Sequence, residues 1–79
     1  MFINKAEDGR NNLCGRKIAV LRKSLGLSQR ELADRLQISG LDVDKNAIQR
    51  IEAGKRFVTD IELKKLSVIF GVTADSLLE

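Results

Sequence analysis

An apolar residue, then a side chain able to cap a helix, then a second apolar residue four positions beyond the cap recur at four places in the sequence. The sets are Leu27, Ser28 and Leu32; Val43, Asp44 and Ile48; Val58, Thr59 and Leu63; and Val72, Thr73 and Leu77. Ser, Thr and Asp accept from the free N–H groups of a first helical turn, and the flanking apolar pair forms a hydrophobic staple across the entry. Glu31 and Glu62 stand at the third position after Ser28 and Thr59, which completes two capping boxes. A glycine precedes each start: Gly26, Gly40, Gly54 and Gly71. Each is placed to close the preceding helix in the left-handed conformation.

Between these marks the apolar spacing is helical: Ile18, Leu21 and Leu25; Leu32, Ala33 and Leu36; Ile48 and Ile51; Leu63, Leu66, Ile69 and Phe70. No stretch alternates with period two for long enough to make a strand. The pattern predicts an all-α domain of five helices near 13–25, 29–39, 45–53, 60–70 and 74–78. The polar run from Glu7 to Asn12 falls outside it, so residues 1–12 are expected to form a flexible N-terminal tail and residues 13–79 the domain. Asn11 or Asn12 is expected to cap the first helix, and Phe2 with Ile3 could dock on the body or on a partner.

Composition narrows the chemistry. At 79 residues there is room for one core and no large enclosed active site. The sequence holds no His, the commonest general base, and one Cys, which cannot build a metal cage alone. Neither a catalytic residue, a metal site nor a cofactor is expected, and the chain reads as a non-enzyme. Cys14 reads as a small apolar residue rather than a reactive thiol, and a single cysteine suits a reducing compartment. No apolar run reaches the length needed to span a bilayer, and a cytoplasmic protein is expected.

The formal charge of +3 is unevenly spread. Residues 1–12 are neutral, residues 13–57 carry ten bases against five acids, and residues 58–79 carry two bases against four acids. The basic centre coincides with the second and third helices, a pair with the form of a helix-turn-helix. On the third, Ala47, Ile48 and Ile51 face inward while Lys45, Asn46, Gln49, Arg50 and Ala53 share the outer surface. Lys and Arg donate to guanine O6 and N7, and Asn and Gln bond adenine bidentately, so this face suits base reading.

Gly15-Arg16-Lys17-Ile18, Leu21-Arg22-Lys23, Gly26-Leu27-Ser28-Gln29-Arg30-Glu31-Leu32-Ala33, Ile48-Gln49-Arg50-Ile51-Glu52-Ala53-Gly54-Lys55-Arg56 and Gly71-Val72-Thr73 together resemble the lambda-repressor-like, Cro/cI-type helix-turn-helix domains. These make up the xenobiotic-response-element family of bacterial and phage transcription regulators. The resemblance implies a compact five-helix DNA-binding domain whose helices 2 and 3 form the helix-turn-helix, and double-stranded DNA as partner. It places the base-reading positions on Lys45, Asn46 and Arg50, with Gln49 beside them. Gln29 would hold a DNA phosphate with help from a backbone amide, Lys55 and Arg56 would contact phosphates, and Ser28 would cap first and touch phosphate second. Arg22 and Glu52 would form a buried structural ion pair, and Ala33 would let helices 2 and 3 cross closely. Family sites are usually inverted repeats, so a homodimer is expected, using Leu77, Leu78 and the end of helix 4 unless those leucines belong to the core.

The sequence departs from the family at one place. Leu36 and Ile48 lie about five residues further apart than the family spacing, so the turn through 37–43 is enlarged. The second helix is expected to run on to Gly40, with Leu41 and Val43 packing back onto the core and a change in how the third helix enters a groove. The alternative function is a protein-interaction module on the same fold, such as an antitoxin or an antagonist of another regulator, using the acidic end, Met1 to Ile3 and Val20.

Overall fold

Ser28, Asp44, Thr59 and Thr73 each sit in extended backbone and accept from the amide three residues on, at 3.0, 2.8, 3.2 and 3.1 Å. Ser28 and Thr59 also receive the reciprocal bond, their own N–H groups donating to Glu31 and Glu62 at 2.9 Å. Each such cap stabilises its helix by about 1 kcal/mol. In the computed structural model, which describes residues 5–79, these caps open α2 (Gln29–Ile38), α3 (Lys45–Glu52), α4 (Asp60–Phe70) and α5 (Ala74–Leu77). The first helix, α1, runs Gly15–Ser24. No strand occurs among the described residues. The expectation for Met1, Phe2 and Ile3 lies outside them.

The glycine stops follow one pattern, shown by Gly26. Its φ of 71° lets its N–H reach the Lys23 carbonyl while the N–H of Leu27 reaches that of Arg22. Free carbonyls at the helix end are thereby satisfied, and a residue with a Cβ would be strained there.

The core gathers the inner face of every helix: Ile18, Leu32, Ala33, Leu36, Ile48, Ile51, Leu66 and Leu77, with Cys14 and Val43. Cys14 is buried, and desolvation pushes its thiol pKa upward, as for an inert packing residue. Ala33, nearly fully buried, borders the cleft between α2 and the start of α3 with Asp44 and Lys45. The enlarged turn folds inward: Val43 joins the core and Leu41 packs against it. Two bonds hold it that the sequence did not announce, Gln37 Nε2 to the Val43 carbonyl at 2.7 Å and Lys65 Nζ to the Ser39 carbonyl at 2.8 Å.

Helix one begins at Gly15, close to the expected start, where the Asn12 side-chain oxygen accepts from the Gly15 N–H at 2.9 Å as expected of a cap, and Leu13 is left in solvent. Two expectations need correction. Leu25 is half exposed, since the helix has ended one residue earlier and the chain turns at Gly26. The stretch assigned to a flexible tail is bonded to the body at residues 10–12, through side chains that reach main-chain carbonyls at the end of α3. Leu77 is fully buried and belongs to the core, whereas Leu78 is 44% exposed.

Candidate nucleic-acid interface

Burial of Ile48 and Ile51 fixes the rotation of α3 about its axis. Residues at i, i+1, i+4 and i+5 on the far side then share one face. Lys45, Asn46, Gln49 and Arg50 occupy these positions and all four are exposed. Asn46, Gln49 and Arg50 line an open groove with Ala53 and Lys55, so the loop after α3 brings its lysine to the same face. Lys45 borders a neighbouring cleft between α2 and α3, shared with Arg30, Asp34 and Gln37. This constellation can donate hydrogen bonds to base edges at its centre and offer positive charge at its rim.

At the amino end of α2, Gln29 Nε2 donates to Glu52 Oε1 at 3.1 Å. That bond uses one of the two amide hydrogens. Helix starts of this kind attract phosphate oxygens. The Ser28 oxygen already accepts from Glu31, as a capping role requires.

Glu52 in turn is gripped by Arg22. Nε and Nη2 of Arg22 donate to its two carboxylate oxygens at 2.7 and 3.0 Å, and Nη1 donates to the Leu27 carbonyl at 2.8 Å. The side chains are 11% and 9% exposed. The Glu52 hydrogen bonds push the Arg22 pKa up, so the guanidinium stays charged inside the fold. One carboxylate thus ties α1, the start of α2 and the end of α3 together.

Arg56 is paired within the fold. Its guanidinium makes a two-pronged pair with Glu62, at 2.9 and 2.8 Å, and also donates to the Phe57 carbonyl. The cause lies in α4: the capping box at Thr59 aims the Glu62 carboxylate back over the loop, where it meets the nearest cation. Lys55 alone of the adjacent pair remains extended into the groove.

Hydrogen bonding from Arg56 first, and from the Thr59 N–H, holds the Glu62 carboxyl below its ordinary value of 4.5. A depressed folded-state pKa contributes stability that is complete above the unfolded value and is lost as pH falls through the folded one. The thermal midpoint is therefore expected to drop on acidification below about pH 4.5, and Glu62→Gln should lower it at neutral pH while removing this part of the acid slope. An acid slope unchanged by Glu62→Gln would refute the assignment.

No cluster of three or more His, Cys, Asp or Glu suited to a metal ion occurs among the described residues, and no described helix is long and apolar enough to cross a membrane. Sequence reasoning offered Asn11 or Asn12 only as a cap for α1 and missed the bonds from Arg10, Asn11 and Asn12 to the end of α3 and its loop, which join residues about forty positions apart. Comparison with known families finds a helix-turn-helix model that matches residues 18–77, spanning most of α1 and all of α2 to α5. No curated protein sequence matches the chain.

Proposed function

Since the chain belongs to the lambda-repressor-like helix-turn-helix family of DNA-binding regulators, we propose that it binds double-stranded DNA sequence-specifically by laying α3 in the major groove and regulates transcription without catalysing a reaction. One observation carries the reading: a rigid helix, buried on one side, presents Lys45, Asn46, Gln49 and Arg50 together on the other. These four read base edges. Gln29, Ser28 and the start of α2 hold one phosphate, and Lys55 holds another across the groove. Arg56 serves the fold through Glu62. Two copies on an inverted repeat would read half-sites about 34–36 Å apart.

A salt titration tests this. A protein that neutralises about five phosphates loses affinity with a log–log slope near −4 to −5, or about 250- to 1,000-fold between 50 and 200 mM salt. On a site selected from random oligonucleotides, Asn46→Ala should cost about 1–3 kcal/mol while leaving affinity for random duplex unchanged. Equal losses on both would remove Asn46 from the reading face. Binding to a protein partner that ignores salt, with no duplex binding, would favour the interaction-module alternative, for which the exposed Val20 is available.

A further inference from the structure

A helix ends with carbonyls that lack partners within it, and a recognition helix that frays at this end loses its aim. In α3 the Gly54 stop satisfies the Arg50 and Ile51 carbonyls from within, through the N–H groups of Lys55 and Gly54, and an outside segment adds donors to Ile51, Glu52 and the loop beyond. Arg10 Nη2 donates to the Glu52 carbonyl at 2.7 Å, and Asn12 Nδ2 bridges the Ile51 and Arg56 carbonyls at 3.0 and 2.7 Å. Asn11 takes two of the three carbonyls between Glu52 and Arg56, its N–H donating to Gly54 at 2.8 Å and its Nδ2 to Lys55 at 3.2 Å. The same Asn12 side chain receives the N–H that opens α1. Arg10 also brings a positive charge to the negative end of the α3 dipole.

The body leaves room for this segment. A Cβ on Gly54 would lie 2.6 Å from the Arg10 guanidinium carbon, and one on Gly15 would collide with the Ile51 carbonyl and lie 2.7 Å from Arg10 Nη2. The Asn11 side-chain oxygen is buried without a partner among the described residues, a cost set against the bond its nitrogen makes to Lys55. The residues involved precede the part of the chain that matches the family, which begins at Ile18.

We propose that Arg10, Asn11 and Asn12 form a strap that positions the carboxyl end of α3 and the Lys55 loop, so that affinity for DNA depends on residues that do not touch it. The inference rests on the DNA-binding reading above and on Lys55 as a phosphate ligand. Asn11 and Arg10 act through Lys55 as positioning residues.

The test is a salt titration of the full chain on a random-sequence DNA duplex, at a temperature where circular dichroism shows each variant folded. Asn11→Ala changes no charge, yet should reduce the magnitude of the log–log slope by about 0.9, the value of one lost phosphate contact, or about eightfold over a tenfold change in salt. Asn11→Ala combined with Lys55→Ala should match Lys55→Ala alone. Arg10→Ala should act in the same way, and Arg10→Lys, which keeps a donor and the charge, should restore the slope. A wild-type slope in folded Asn11→Ala and Arg10→Ala, or losses that add to that of Lys55→Ala, would overturn the strap while leaving the DNA reading intact. Failure of the wild-type chain to bind the duplex at low salt would overturn both.

Discussion

Glu52→Ala is expected to destabilise the domain by about 3–5 kcal/mol, the usual result of removing one member of a buried ion pair. The penalty arises from what stays behind. Arg22 keeps its charge, and with 11% of its side chain exposed it cannot recover water in place of two carboxylate oxygens. The single bond to the Leu27 carbonyl remains, which satisfies one nitrogen of three. A domain of this length has roughly 4–12 kcal/mol of total stability, so the substitution removes a large share of it. Urea denaturation measures the change directly. Replacing both partners with apolar residues, as in Arg22→Met with Glu52→Leu, should recover most of the loss, because no charge is then stranded. A single-variant cost below about 1 kcal/mol would mean that water reaches the guanidinium and that the pair is peripheral. The double variant also separates two roles of Glu52, since the Gln29 amide loses its anchor even where the fold is restored.

How much of this was legible in the sequence follows from the range of the interactions. The caps at Ser28, Asp44, Thr59 and Thr73 act over three or four residues, and so do the glycine stops; the elements they bound were readable from local pattern alone. Val43 and Leu41 were readable as apolar residues beyond the Gly40 stop, placed to pack back onto the core. The reading face of α3 was fixed once Ile48 and Ile51 were recognised as its inner side.

Contacts between distant residues were not legible in this way. Arg22 with Glu52 came from family resemblance, because the two lie thirty positions apart and nothing between them marks one as the partner of the other. Arg10, Asn11 and Asn12 sit in a run as polar as any solvated tail, and their targets are main-chain carbonyls that carry no residue signature. Lys55 and Arg56 are adjacent and equally basic in sequence. Only the capping geometry at the start of α4, which turns Glu62 toward the loop, tells them apart.

Neighbouring residues on α3 give the sharpest separation of fold from function. Ile48 has no exposed surface and packs in the core that α2 and α3 share, so Ile48→Ala removes buried methyl groups and leaves a cavity, at an expected cost of about 2–5 kcal/mol. Gln49 is exposed one position on, and Gln49→Ala should change stability by no more than about 0.5 kcal/mol, since alanine is also the better helix former. Their effects on DNA should be reversed. Ile48→Ala should bind with nearly native affinity once cooling or a stabilising osmolyte has refolded the population, because the outward side chains of α3 are unaltered. Gln49→Ala should bind its selected site more weakly at every temperature at which it is folded. Denaturation midpoints and duplex titrations on the two variants decide the matter. If folded Ile48→Ala lost as much affinity as Gln49→Ala, the core under α3 would be setting the angle of the helix in the groove as well as holding it in place, and the two faces of α3 would have to be treated as one unit.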